Sequence, residues 1–434
     1  MLSFIKIEQL FDAFDYTIEL KKEGVTILTG PNGYGKTTIL KIIDALATKD
    51  ILFFLQLPFK RITLEFSNHK QCSLVKNEDG ISFLNEAEEE KTIIWNQKSI
   101  RRVFKSLPFL EQIGENRWFD HRNDKFFNTT EVLQKILPEF SSELPEFHEL
   151  SEHQEFLRSA LLHMPEVYFI REQRLLRLTD NKRTRTRIRF TNEEDVTNFN
   201  NTIEEYAREL SDLIKDTLAK SSQITQELDG SFPRRLFEQK IEIVQDEFNE
   251  RFDKVKEIQK NLNEYGLYDL KEDSHPVYSS ENARALYVYI EDTEKKLKIF
   301  AEILEKLKLF TNILNNRRFA FKRIHISKDD GFTFTNKKNK LLALSDLSSG
   351  EQQEVVILYE LLFRVKPDTL VLIDEPELSL HVAWQMQFLD DLFEIIKWQK
   401  INVIVATHSP QIIGNKWDLV IDLWDLQNDN KSEK

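Results

Sequence analysis

Eight consecutive residues, Gly30-Pro31-Asn32-Gly33-Tyr34-Gly35-Lys36-Thr37, fit the spacing G-x-x-x-x-G-K-[ST] at every fixed position. An apolar run, Val25 to Leu28, leads in, and a helix-like stretch from Thr38 to Ile43 leads out. That strand–loop–helix setting is what the spacing needs to carry chemistry. Gly30, Gly33 and Gly35 let backbone N–H groups turn inward as an anion nest, and the helix N-terminus adds partial positive charge. Lys36 is expected to reach the outer phosphates and Thr37 to place its hydroxyl on Mg²⁺, with Asn32 and Thr38 on the same cradle. The expected ligand is a nucleoside triphosphate with Mg²⁺.

Three later stretches supply the rest of such a site. Thr369 to Pro376 is an apolar strand ending in two carboxylates. Asp374 is placed to hold the Mg²⁺ shell and Glu375, one residue on, to polarise an attacking water. Val403 to Pro410 is a second buried strand with His408 at its C-terminal edge, expected to touch the γ-phosphate. Leu347-Ser348-Ser349-Gly350-Glu351-Gln352 opens a helix expected to run to about Phe363. Ser348, Gly350 and Glu351 therefore sit at a second anion-favouring helix start. With Lys36 already on the phosphates, the economical role for that second lip is to cap the nucleotide of another copy, which implies a homo-oligomer.

The elements that must position these groups read as an α/β chain in three segments: 1–190, a helical insertion at 191–319, and 320–434. Before the phosphate loop come two strand patterns, and after its helix come three alternating runs, 61–66, 72–75 and 81–84, which predict an antiparallel meander. Residues 85–163 carry several helix-like stretches. Arg183 to Arg189 places arginine at every second position, which on a strand gathers the guanidinium groups on one face. It reads either as a patch for phosphates or an acidic protein, or as an edge strand blunted by charge.

Two seams of apolar residues, Ile241 to Leu262 and Leu286 to Leu314, sit three or four apart on either side of a polar loop. They predict an antiparallel helical hairpin, a short coiled-coil arm whose first helix of about 22 residues would span roughly 33 Å. Two helices of a packed bundle remain the alternative. Leu228 to Arg235, with Gly230 and Pro233, is expected to break the helix at the arm's base.

The chain has 434 residues and a formal net charge of −13, which argues against wholesale coating of nucleic acid but leaves room for a local basic groove. Its single cysteine, Cys72, rules out an internal disulfide and suits a reducing compartment. With no leader-like start and no membrane-spanning apolar run, the expected location is cytoplasmic.

The set GPNGYGKT, LSSGEQ, LVLIDEP and ATHSP resembles ABC-type ATPase heads of the Rad50, SMC, RecF and OLD group, whose heads are split by a helical insertion. The resemblance implies a P-loop ABC-type ATPase head with an antiparallel β subdomain and an inserted helical arm, and ATP as its nucleotide. It places a Mg²⁺-directed glutamine at Gln173, in YFIREQ, and the Asp-loop on Glu377 to His381, which lacks the usual aspartate. The runs YFIREQRLLR, LDGSFPRRL, DEPELSLHVAWQ and ATHSPQIIGNKWD are similar to ATPases of bacterial anti-phage systems, PARIS first and Septu second. That likeness implies slow ATP hydrolysis, a separate nuclease effector (Toprim-like or HNH), and a phage-derived trigger. The chain is expected to lack room for a C-terminal Toprim domain of its own. Two other readings stay open: a DNA-binding repair ATPase of the Rad50 or RecF kind, and a scaffold that holds ATP without turning it over.

Overall fold

The computed structural model describes residues 1–77, 80–84, 90–93, 104, 107–114, 117–132, 136, 161–171, 176–178, 199–269, 276–319 and 321–432. Gln173 and the Arg183–Arg189 run lie outside the described residues. The chain divides into two compact units. One combines Met1–Glu172 with Val365–Lys434; the other is built on Arg189–Arg364 and takes in the short strand Leu176–Leu178.

The first unit centres on a parallel sheet. Its strands are β3 (Val25–Thr29), β11 (Val167–Ile170), β17 (Leu370–Asp374), β18 (Asn402–Ala406) and β19 (Val420–Asp422), in the order β11-β17-β18-β3-β19. All five residues of β3 and of β17 are buried, as expected for parallel strands covered on both faces. A six-stranded antiparallel sheet accompanies it, in the order β2-β1-β4-β5-β6-β7. Its members are β1 (Leu2–Leu10), β2 (Phe14–Glu19), β4 (Arg61–Phe66), β5 (Gln71–Lys76), β6 (Ile81–Leu84) and β7 (Glu90–Ile93). The helix α1 (Lys36–Thr48) buries Ile39, Leu40, Ile42, Ile43 and Leu46 in one apolar cluster. That cluster also takes in Ile5 and Leu64 of the antiparallel sheet and Leu372 and Ile404 of the parallel one. This is the α/β head with an antiparallel β subdomain that the sequence predicts. Cys72 is buried on β5.

Of the stretch 85–163, the described residues include, besides β7, a second antiparallel meander, β8 (Leu110–Gly114), β9 (Arg117–Asp120) and β10 (Lys125–Asn128), followed by a helical turn at Thr129–Glu131; most of the expected helix-like stretches lie outside the described residues. The buried Trp118, whose indole N–H donates to the Thr129 hydroxyl at 3.0 Å, anchors the meander from β9. Aromatic residues favour such a half-buried pleated surface.

The second unit begins, after the two-stranded pair β12 (Leu176–Leu178) and β13 (Phe199–Asn201), with helix α2 (Thr202–Glu238), 37 residues long. The expected break at Leu228–Arg235 does not occur. Pro233 removes one backbone donor, but the Ser231 hydroxyl bonds Glu227 and Leu228 carbonyls, and Arg235 Nη2 donates to Leu228 O at 2.7 Å. Arg235 also forks onto Asp292, and Lys296 pairs with Asp229, so tertiary contacts hold the segment helical.

The expected antiparallel hairpin is also corrected. Helices α3 (Gln245–Glu264) and α4 (Ala283–Lys298), continued by α5 (Ala301–Asn312), carry the two predicted seams. Their cross-links rise together along the chain: Ile243 with Tyr278, Arg251 with Glu294, Tyr265 with Thr311. They therefore run parallel. The antiparallel partner of α4 is α2, through Arg235–Asp292 and Asp229–Lys296. The result is the packed-bundle alternative, built around a helix of about 55 Å.

Residues 321–364 fold with this unit, not with the C-terminal half of the head. The hairpin β14 (Lys322–Ser327) and β15 (Gly331–Asn336), with β16 (Leu341–Leu342), lies against α2. Gly331, with φ +70°, approaches so closely that a Cβ there would lie 1.8 Å from Ala207 O. Ser211 seals the contact by donating to Lys328 O at 2.8 Å. Among the described residues, no helix is long and apolar enough to cross a membrane.

Candidate functional site

The phosphate loop joins β3 to α1. Gly30, Gly33 and Gly35 have φ of +139°, +86° and +85°, conformations that disfavour a side chain. Gly35 has a second reason: a Cβ there would sit 3.2 Å from Leu10 Cδ2. Tyr16 hydroxyl donates to Tyr34 O at 2.7 Å, and the Tyr34 ring lies between Phe14 and Trp424 at 5.2 and 5.6 Å. This aromatic brace holds the loop from outside and was not foreseen from the sequence.

Lys36 is buried, and its ammonium donates to Gly30 O at 2.7 Å and Pro31 O at 3.3 Å. Burial pushes its pKa below the ordinary lysine value, while Glu375, Glu377, Asp374 and Asp422 pull the other way and favour the charged form. Thr37 Oγ1 donates to Asp374 Oδ1 at 3.0 Å, bringing together two residues 337 positions apart. β17 ends at Asp374, which is 4% exposed, and the next residue turns sharply. Glu375 has φ 44°, a left-handed conformation that costs a non-glycine residue about 1–3 kcal/mol and concentrates at functional sites. Its N–H is tied to Ala406 O at 2.9 Å, and its Oε1 lies 2.6 Å from His408 Nε2. The structure thus places His408 against Glu375.

Asn32, Gly33, Gly35, Thr38, Glu375 and His408, with Lys36 and Thr37, line one cleft of about 240 Å³. That is smaller than a pocket for a whole drug-sized ligand and suits a phosphate tail. The donor set also fits Mg²⁺. Thr37 hydroxyl and Asp374 carboxylate are hard oxygen donors, and Mg²⁺ takes one or two protein ligands and completes its shell with phosphate and water. Among the described residues there is no cage of three or more His, Cys, Asp or Glu that would hold a metal by itself.

The Ser348 motif belongs to the second unit and opens α6 (Ser349–Tyr359), followed by a π-helical turn, Glu360–Arg364. Ser348 and Glu351 form a reciprocal cap. The Ser348 N–H donates to Glu351 Oε2 at 2.7 Å, and its hydroxyl donates to the same oxygen at 2.9 Å. Lys322 Nζ adds an ion pair at 2.6 Å. Burial raises the Glu351 pKa, but the bonds from Lys322 and Ser348 outweigh it and hold the carboxyl below its usual range. Glu351 is therefore engaged in fixing the helix start, and the Ser348 hydroxyl is engaged with it. What the turn leaves for an anion are helix-end N–H groups, those of Ser349 and Gly350. The sequence signal for this arrangement was the S-x-x-E spacing.

A protein-family profile described as "AAA domain, putative AbiEii toxin, Type IV TA system" matches residues 25–414. None of the curated proteins matches the chain. Among solved structures, the chain is similar to the Smc head domain of Pyrococcus furiosus with an extended coiled coil bound to the C-terminal domain of ScpA. Identity is 12% and the TM-score 0.37, over 97% of this chain and 92% of that one. It is also similar to the SMC head domain of Thermotoga maritima, with 12% identity and a TM-score of 0.35, over 95% and 90% of the two chains.

Proposed function

The chain belongs to the AAA-domain family whose profile spans it, and from that premise we propose that it is an ATP-hydrolysing sensor and scaffold. In this reading it serves a bacterial anti-phage complex, holding a separate nuclease effector, Toprim-like or HNH, and releasing or licensing it when a phage-derived trigger arrives. The observation that carries the hydrolytic part is the convergence on one phosphate loop of Thr37–Asp374 and Glu375–His408. The family's description names a putative toxin of a type IV TA system, and the anti-phage setting rests on the sequence likeness of YFIREQRLLR, DEPELSLHVAWQ and ATHSPQIIGNKWD.

The loop N–H groups and Lys36 bind and orient the triphosphate of the substrate. Thr37 and Asp374 would hold Mg²⁺, which when bound neutralises charge on the phosphate oxygens. Glu375 orients a water and accepts its proton, and His408 fixes the carboxylate that does so. Ser349 and Gly350 N–H groups cap the nucleotide of a second copy, so that ATP joins heads into a homo-oligomer. Nucleotide and trigger are then coupled by favouring the same arrangement.

The test is a plaque assay on cells carrying the locus, paired with phosphate release by the purified protein. Lys36→Ala and Glu375→Gln are expected to abolish both protection and turnover while the protein still folds. Full protection by both variants would remove the ATP-driven switch. Hydrolysis stimulated by DNA, with binding that falls steeply with salt, would point instead to a repair ATPase.

A further inference from the structure

Three residues beyond Asp374, Glu377 lies on the 3-10 turn Pro376–Ser379. Its Oε1 accepts two hydrogen bonds, from the Thr407 hydroxyl at 2.7 Å and from the His408 backbone N–H at 2.7 Å. Both donors stand immediately after β18. Thr407 is fully buried, and its own N–H is tied to Leu28 O on β3 at 3.1 Å. A single carboxylate oxygen thus fixes the backbone from which the His408 imidazole reaches Glu375.

The turn is closed from the other side as well. Gln385 Nε2 donates to Glu377 O at 3.2 Å and Leu380 O at 3.0 Å, while its Oε1 accepts from the Ser409 hydroxyl at 2.7 Å. Thr407 to Ser409 is therefore gripped at each residue, with the imidazole as the one group aimed at the cleft. The second carboxylate oxygen of Glu377 is buried and has no hydrogen-bond partner among the described residues. Leaving a buried carboxylate oxygen unsatisfied is costly, and positions with no task beyond packing rarely keep one.

We infer that Glu377 is a positioning residue for ATP hydrolysis: through the His408 backbone it sets the imidazole against the Glu375 carboxylate. This rests on the hydrolytic reading of the cleft. The contact is made within one chain, from Glu377 to the two residues after β18.

The experiment is a double-mutant cycle on the full-length chain, with kcat and KM for ATP measured separately. Glu377→Ala is expected to lower kcat about 10- to 100-fold, the scale of a small misplacement in a reacting geometry, with KM nearly unchanged. Glu377→Gln should recover most of the loss, since its amide oxygen can accept the same two donors. In a His408→Ala background Glu377→Ala should cost nothing further, because the two act as a unit. Equal losses in both backgrounds, or no rescue by glutamine, would overturn the inference.

A second readout does not depend on turnover. In side-chain spectra of histidine-labelled protein, the His408 ring signal (assigned by its loss in His408→Ala) should shift in Glu377→Ala and stay in place in Glu377→Gln. A signal unmoved by Glu377→Ala would refute the positioning role. If the wild type releases phosphate no faster than Glu375→Gln, the hydrolytic reading itself fails and the inference falls with it.

Discussion

Replacing Glu375 by glutamine changes one atom's chemistry and little else. The left-handed backbone at φ 44° and the bond from its N–H to Ala406 O are indifferent to the substitution. The amide oxygen can still accept a hydrogen bond from His408 Nε2, now 2.6 Å from Glu375 Oε1. What is lost is the capacity to take a proton from water. Removing a general base typically costs 10²–10⁴-fold, about 3–5 kcal/mol on the barrier. The phosphate loop is untouched, so equilibrium binding of ATP should stay within a few tenths of a kcal/mol of wild type. The assay is single-turnover phosphate release beside equilibrium binding of a fluorescent ATP analogue, each with Mg²⁺. Turnover within threefold of wild type would refute the assignment of the base (roughly 0.6 kcal/mol, too little for such a role). Lost nucleotide binding with a normal melting profile would show that Glu375 serves the cradle instead.

Asp374→Asn keeps an acceptor for the Thr37 hydroxyl but loses the charge. Wild type should bind ATP more tightly with Mg²⁺ than with a chelator, and the variant should not distinguish the two. Gly331→Ala places a methyl 1.8 Å from Ala207 O at φ +70°. Strain and forced displacement together should cost about 2–5 kcal/mol, read as a fall of several degrees in the melting of the helical unit; an unchanged melting point would contradict the close approach. Glu351 has a folded pKa below its unfolded one, so its stabilisation is complete above the ordinary carboxylate value of about 4.3. It is lost as pH falls through the lowered folded value. The difference in melting temperature between wild type and Glu351→Gln should therefore shrink on acidification below about pH 4; a constant gap would discount the Lys322–Glu351–Ser348 cap.

The chemistry was more legible than the scaffold. Gly30 to Thr37 could be read from spacing alone because each position has a fixed backbone or charge requirement. Asp374 and Glu375 were legible because a buried apolar strand seldom ends in two adjacent carboxylates unless they meet a cation or a reacting group. Glu377 carried no such mark: its role depends on where the Thr407 hydroxyl and His408 N–H fall after β18, and that is set by the pairing of Asp374 with Ala406. The bracing of Tyr34 by Phe14 and Trp424 was hidden for the same reason, since it joins residues nearly 400 positions apart. The placement of 321–364 with the helices was also unreadable, because a strand pattern does not say which surface it will cover. Only Gly331 gave a hint, and a glycine in a hairpin turn is ordinarily accounted for by its φ alone.

The helical insertion shows where periodicity stops informing. Apolar residues three and four apart report which face of a helix is buried: Phe248, Phe252, Val255 and Leu262 of the first seam are buried while Ile241, Val244 and Ile258 are exposed, and the apolar residues of the second seam are buried. They carry no sign for chain direction. A short polar loop favours an antiparallel return, which is why the polar stretch between the two seams reads as a hairpin turn. Yet Arg251 pairs with Glu294 and Tyr265 with Thr311, a rise in step along both segments that a parallel pair gives and an antiparallel pair does not. The α2–α4 pair shows the opposite sense, since there Asp229 meets Lys296 and Arg235 meets Asp292. Reversing Arg251 and Glu294 together to Glu and Arg should therefore preserve the bundle, whereas Arg251→Glu alone should destabilise it.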